Sequence, residues 1–361
     1  MLTFWFFWIR AVEEPLKKTF ANVHQGNLSG TLTRFLKARD GNVLKAHRMT
    51  FGGFAAVNFY VSLQLLDCLN WRIQNNIDEI LTKPITPRDR YSAVRDSQLI
   101  GMSGYSKQGL PVFGIGVGLS TFDKASVNYY VQSHIQLNEY RDRVVFPTAT
   151  KKHGRHIGNC LKILDMTGLR FSALNHLKLL TIIATIDDLN YPEKTETYYI
   201  VNAPYIFSAC WKVVKPLLQE RTRRKVQVLQ GCGTDELLEL MDYASLPHFC
   251  KREGSGSSRH SNTGDENCFA LDHTFHQEMY DFMKQQSSSS RQLEPQGSVH
   301  VNFPQPDPEG SNIVRTIETE FQKLEGQNSL PCHLDSLKIN GDRDCRNRDR
   351  QRSSCKVLLK N

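Results

Sequence analysis

The chain has 361 residues, of which 40% are hydrophobic, 10% aromatic and 23% charged, with a formal net charge of +8. This balance excludes collagen-like, wholly disordered and polytopic membrane classes, and the length at about 150 residues per domain suggests two domains or one with long appendages. The positive charge favours anionic partners such as nucleic acid, phosphorylated ligands or an acidic membrane leaflet.

Met1–Ile9 is apolar but shorter than the roughly 20 residues a bilayer helix needs, and it lacks a basic n-region and a small-residue cleavage site. Residues 1–26 are therefore read as an N-terminal extension. From Asn27 a helix is expected, capped by Ser29, with Leu32, Phe35 and Leu36 as its apolar stripe. Asp40-Gly41-Asn42 breaks the chain, and a second helix is expected near Val43. At Thr50 the periodicity fails until Leu65, after which Leu69, Trp71, Ile73 and Ile77 resume it. Residues 50–64 thus read as an insertion within an amphipathic helix, the alternative being a buried hairpin or helix of its own. Gly52, Gly53, Asn58, Ser62 and Gln64 make this stretch a poor membrane anchor. Residues 27–80 form one expected helical lobe.

Past Pro84 and Pro87, strands are expected at Gln98–Met102, Leu110–Val117, Leu161–Asp165, Tyr198–Ala203 and Val226–Gln230. Helical runs lie between them near 125–144, 171–188 and 205–220, and such alternation predicts an α/β domain over 85–250. Thr234 is expected to cap a short helix through Met241. Of the 35 aromatics only six follow residue 250, so the core is expected to end there. Residues 251–361 read as a mostly disordered polar tail with short helices near 269–283 and 312–324.

The chemical motifs are uneven. Phe113-Gly-Ile-Gly-Val-Gly118 misses the dinucleotide fingerprint, since Leu119 stands at the third glycine position, and close backbone packing in a strand explains it better. Cys232 between two glycines has no base placed beside it by sequence, and the nine cysteines include no CxxC pair, so neither a thiol nucleophile, a metal site nor a disulfide framework is expected. Reduced cytosolic thiols are the default. Asp187-Asp188 ends an apolar helix and is expected to face solvent. Arg221-Thr-Arg-Arg-Lys225 is more informative: cations beside a hydroxyl suit a phosphate ester, though a solvated or nucleic-acid-binding patch remains open. The preceding segment from Ala203 is apolar across more than one helical face, which suits deep burial or an apolar ligand.

The stretch YYIVNAPYIFSACWKVVKPLLQERTRRKVQVL, with IDDLNYPEKTE before it and ASLPHF after it, resembles the CRAL-TRIO lipid-binding fold. More narrowly, it is similar to the phosphatidylinositol/phosphatidylcholine transfer proteins of the yeast secretory-factor type, in the plant branch. TLTRFLKARDGNVLKAHRM and CLNWRIQNNIDEI match the helical N-terminal lobe of that family, so the likeness spans roughly residues 15–283. The resemblance implies a mixed sheet of about five strands with covering helices and a mobile gate helix. It places Thr222 and Lys225 at the inositol phosphate, Glu193 near the inositol hydroxyls and Arg39 as the basic residue of the lobe that reaches the phosphate. Tyr205, Phe207, Trp211, Val214, Leu217 and Leu218 fall on the gate helix over the acyl pocket. The family's choline-headgroup positions carry Phe113, Cys160 and Lys162, where a tyrosine and small hydroxyl residues are expected. The implied function is extraction and exchange of phosphatidylinositol, with phosphatidylcholine as the second lipid, in support of phosphoinositide metabolism and trafficking. It implies no covalent step, no metal and no cofactor beyond the bound phospholipid. It further implies a cytoplasmic monomer that touches Golgi or plasma membrane peripherally, and no nucleic-acid partner. A non-transferring lipid-sensing scaffold and a carrier of another hydrophobe are the competing readings.

Overall fold

The computed structural model describes residues 14–38, 53–170, 175–204, 220–251, 266–289 and 301–302, together with single positions at 207, 211, 215, 312, 315–316, 319 and 323; side chains of 53–63 and 221 are not described. The chain divides into two compact units, Met1–Phe321 and Gln322–Asn361, and of the second only Lys323 is among the described residues.

Helices α1 (Glu14–His24), α2 (Leu28–Lys37) and α3 (Gly53–Gln74) make the N-terminal lobe. Their apolar faces meet in a small core of Phe20, Leu32, Phe35, Leu65, Cys68 and Leu69. The cap of α2 is Asn27, not Ser29: the Asn27 Oδ1 accepts the Gly30 amide at 3.0 Å, while the Ser29 carbonyl is already inside the helix and accepts the Thr33 hydroxyl. Residues 53–64, read from sequence as the greater part of an insertion, run helically into 65–74 without a break. The helix expected near Val43 lies outside the described residues.

After α4 (Arg88–Ser97), strands β1 (Ile100–Tyr105), β2 (Pro111–Gly116), β3 (Cys160–Asp165), β4 (Thr195–Val201) and β5 (Val226–Val228) assemble in sequence order. The pair β1–β2 is antiparallel and joined by a tight turn; every later pair is parallel, giving the expected mixed five-stranded sheet. Parallel neighbours need long crossovers. Those are α5 (Val127–Tyr140) with α6 (Phe146–His153), then α7 (Leu177–Asn190), then residues 202–225, which end in the short α8 (Glu220–Lys225). The glycine run lies in and just beyond β2, as its packing suggested. A Cβ built on Gly118 would stand 2.1 Å from the Thr167 carbonyl oxygen, so only glycine fits there.

Two expectations fail on the C-terminal side. Helix α9 (Thr234–Leu240) is preceded by Gly233 in the left-handed region, φ 65°, and Thr234 is its first helical residue; the threonine hydroxyl is used instead on the Cys250 carbonyl at 2.5 Å. More consequentially, the core does not end at residue 250. Helix α10 (Thr274–Ser289), which starts five residues after the helix expected from 269, buries Phe275, Met279 and Met283 in the main core. Phe275 stands edge-on to both Phe113 (5.9 Å) and Tyr140 (6.0 Å). The few apolar residues of this segment are spaced i, i+4, i+8 and so share one helical face, a pattern that averaging over the whole tail dilutes. Val301 is also buried, and Asn302 is tied to α3: its carbonyl accepts the Trp71 indole N–H and its amide donates to Asn75. Further along, the described positions between 312 and 323 are helical, Thr316 and Thr319 donating to carbonyls four residues back.

Candidate functional site

The basic run 221–225 is not one patch. Arg223 and Arg224 fold back along α8 onto Glu220, Arg224 Nε at 2.9 Å. Lys225 leaves the helix in another direction, its Nζ donating to Glu193 Oε2 at 2.6 Å and to the Thr195 carbonyl at 3.0 Å. Glu193 sits in the turn between α7 and β4 with φ 58°, a strained setting for a residue with a side chain. Thr222 is half-buried three residues before Lys225, on the same helical face. The structure thus brings Glu193 and Lys225 into contact, with Thr222 one helical turn before Lys225. Arg39 lies outside the described residues, as do Tyr205, Val214, Leu217 and Leu218. Of the gate segment, Phe207 and Trp211 are described: both are half-buried and stacked, with ring centroids 5.8 Å apart and planes 16° from parallel.

Strand register aligns Phe113 with Lys162 and Lys162 with Tyr198, so all three point to the same face of the sheet. Phe113 is fully enclosed and Cys160 has no exposed surface; burial pushes the Cys160 thiol up. Lys162 lies over the Tyr198 ring at 5.7 Å and 3.7 Å from Asp187 Oδ2. Burial works to lower its ammonium pKa, but Tyr198 and Asp187 outweigh that and leave it raised.

Asp187 contradicts the expectation that it faces solvent. Its Oδ1 meets His134 Nε2 at 2.7 Å and accepts from Asn138 at 2.8 Å, and its carboxyl is only 26% exposed. Burial favours its neutral form, yet His134, Lys162 and Arg141 together hold it well below the usual carboxylate range. The cause of the misreading is α7 itself, apolar on nearly every face, so periodicity did not show which side turns inward.

A second charged network ties the lobe to the sheet domain. Arg72 of α3 donates to Asp78 and, through both terminal nitrogens, to Glu139 Oε1 and Oε2 at 2.7 and 2.9 Å. Tyr191 and Arg143 complete the coordination of Glu139. Next to it lies a cleft of about 290 Å³ between α1–α2 and the α6–β3 and α7–β4 connections. Arg34, Lys151, His156 and Lys194 face this cleft. Sequence reading passed over all four, because cations with polar or charged residues beside them look like solvated faces; the one available signal was that Lys194 adjoins Glu193.

The sheet order, the enclosed Phe113–Lys162–Tyr198 face and the Glu193–Lys225 pair all fall inside one segment, and residues 95–251 match the CRAL/TRIO domain family. Those residues form a CRAL/TRIO domain. Beyond it, the chain is 28% identical over 247 residues to the phosphatidylinositol/phosphatidylcholine transfer protein SFH9 of Arabidopsis thaliana, covering 66% of this chain and 40% of that protein. It is 29% identical over 225 residues to SFH11 of the same plant, a protein of the same description, covering 61% and 55% respectively. A CRAL-TRIO domain-containing protein of Caenorhabditis elegans, T23G5.2, is 27% identical over 244 residues, covering 63% and 30%. A crystal structure of Sfh5 aligns at a TM-score of 0.42 and 17% identity over 84% of this chain and 98% of that one. The chain spans about half or less of the length of these curated relatives. SFH9 and SFH11 are named for lipid transfer, not for a catalysed reaction. Around the CRAL/TRIO domain, no helix among the described residues is long and apolar enough to cross a membrane, and no group of three or more His, Cys, Asp or Glu side chains among them could hold a metal ion.

Proposed function

We propose that this protein extracts one phosphatidylinositol molecule from a membrane and exchanges it between bilayers, holding the headgroup at Glu193, Thr222 and Lys225 with Arg39 reaching the phosphate. The observation that carries the reading is the Lys225–Glu193 contact at 2.6 Å, with Thr222 one helical turn before Lys225. Without ligand the two charges satisfy each other. A phosphodiester that approaches Lys225 can take over the ammonium, while an inositol hydroxyl donates to the freed carboxylate, so the lipid replaces a pair already desolvated.

Hydrocarbon burial cannot select the lipid. Two acyl chains with about 30 methylenes are stabilised against water by roughly 24 kcal/mol at ~0.8 per CH₂, but the bilayer offers nearly the same environment. Preference rests on headgroup contacts, each charge-assisted hydrogen bond contributing about 1.5–3 kcal/mol. The stacked Phe207 and Trp211 supply an apolar face for the gate, which opens at a membrane where those rings meet lipid instead of water. Lys162 places a cation where the resemblance puts choline, so like charges meet there and phosphatidylcholine is the weaker ligand. We place the protein in the cytoplasm as a monomer, touching Golgi or plasma membrane transiently and serving phosphoinositide-dependent trafficking.

The test is transfer of fluorescent phosphatidylinositol between vesicles by wild type and Lys225→Ala, with native mass spectrometry of each protein. Wild type is expected to carry the lipid and exchange it, and Lys225→Ala to lose about tenfold or more. Undiminished exchange by Lys225→Ala overturns the assignment of the headgroup.

A further inference from the structure

The cleft between the N-terminal helices and the CRAL/TRIO domain has a charge imbalance that the phosphatidylinositol reading does not use. Asp142 serves two cations there: Arg141 Nε at 2.7 Å and Lys194 Nζ at 2.8 Å. Arg34 faces the same cleft, half-buried, and its terminal nitrogen donates to a neutral group, the Thr31 hydroxyl, at 2.8 Å. Among the described residues no carboxylate pairs with it. Gly158 fixes the geometry: a Cβ built there would stand 3.4 Å from Arg34 Nη1 and 2.8 Å from His156 Nε2, so both nitrogens gather over one residue that has no side chain. Lys151 adds an exposed cation at the rim.

We propose that this cleft binds a phosphate group, held by Arg34 and Lys194 in its depth and by His156 and Lys151 at its mouth. Three of these groups respond alike to their surroundings. Burial lowers the basicity of Arg34, Lys194 (to about 8) and His156; Asp142 works against this at Arg34 and Lys194 without reversing it, and neighbouring cations add to the lowering at all three. An anion between them reverses that repulsion. A phosphate suits the set better than a carboxylate, because a planar guanidinium, an ammonium and an imidazole converge from different directions on what must be several acceptor oxygens. The cleft volume admits a sugar phosphate. The site is separate from the Thr222–Lys225 site: Glu193 and Lys194 are adjacent, but the first turns to Lys225 and the second to Asp142. The phosphate can belong to a soluble inositol phosphate or to a phosphorylated inositide headgroup in a membrane.

The full-length protein is titrated calorimetrically with inositol trisphosphate and, separately, sedimented with phosphatidylcholine vesicles containing or lacking phosphatidylinositol 4-phosphate. Saturable binding of the soluble probe assigns the site to free phosphates; binding to the doped vesicles alone assigns it to a lipid headgroup. In either case Arg34→Gln is expected to weaken binding by about tenfold or more. Lys151→Gln, on an exposed side chain that cannot compromise folding, is expected to weaken it by about twofold to fivefold. Lys225→Ala separates the two readings, since it is expected to lose phosphatidylinositol exchange and keep the cleft's phosphate. Absence of binding to both probes, or wild-type affinity in both Arg34→Gln and Lys151→Gln, overturns the proposal whether or not phosphatidylinositol exchange survives.

Discussion

Replacing Arg72 with methionine tests whether one side chain fastens the N-terminal lobe to the sheet domain. Arg72 and Glu139 are 4% and 3% exposed, and the guanidinium makes four hydrogen bonds, two to Glu139 and two to Asp78. Breaking a buried pair by removing one partner typically costs about 3–5 kcal/mol, because the remaining charge is stranded. Here Glu139 keeps Arg143 at 2.6 Å and the Tyr191 hydroxyl at 2.7 Å, which places the expected loss near the lower end, about 3 kcal/mol. At about 2–4 °C per kcal/mol for a domain of this size, the melting temperature should fall by roughly 6–12 °C. The carboxylates give the sign of the pH dependence. Burial works to raise the pKa of Glu139 and of Asp78, but Arg72 with the other partners outweighs it and both pKa values are lowered in the folded protein. Their stabilisation is therefore present above the unfolded carboxylate range of about 4 and is lost as pH falls through the folded values. Urea denaturation of wild type and Arg72→Met at pH 7 and at successively lower pH should show a gap that narrows in acid. A gap below about 0.5 kcal/mol at neutral pH would refute the view that this contact holds the lobe in place.

Three further outcomes follow from the same geometry. Asp187→Asn should destabilise the protein at neutral pH, with the difference from wild type shrinking as pH falls below about 4, measured by thermal unfolding across pH; its carboxyl is depressed in the fold, so an effect that grows in acid contradicts the contacts with His134 and Lys162. Lys162→Thr removes the cation from the Tyr198 face and should raise phosphatidylcholine uptake relative to phosphatidylinositol in vesicle exchange; an unchanged ratio means that Lys162 does not set that preference. Met279→Ala, at a residue with no exposed surface, should cost about 2–5 kcal/mol in chemical denaturation, and a loss below about 1 kcal/mol would show that α10 is not part of the core.

Much of the sheet was legible because its strands are short apolar runs between helical stretches, and β1 to β5 fall within a few residues of their expected places. The glycines of β2 were read correctly for a physical reason: without strand, turn and helix in order, a glycine cluster means close packing, and Gly118 against the Thr167 carbonyl is such a contact. Caps were not legible. Asn27 and Ser29 are both good cap residues, and only the backbone decides between them. Nor was the inward turn of Asp187, since α7 offers no polar face to orient it. The headgroup positions came through resemblance, not through pattern. The four cations of 221–225 look equivalent in sequence, yet Glu220 engages Arg223 and Arg224 and leaves Lys225 to cross to Glu193. Arg34 and Lys194 were invisible for the complementary reason: that Lys194 has Asp142 at 2.8 Å while Arg34 has only the neutral Thr31 hydroxyl depends on residues brought together by the fold.

The sequential order of the five strands has a consequence for synthesis. As the polypeptide leaves the ribosome, each new strand meets a neighbour already made, so no edge must wait for a distant partner. The cover supplied by α10 is the exception. Until residue 289 has emerged, Phe113 and Tyr140 lack the Phe275 ring that closes over them, and the nascent sheet keeps an apolar flank open to chaperones and proteases. Chains stalled before and after that point should differ sharply in protease resistance.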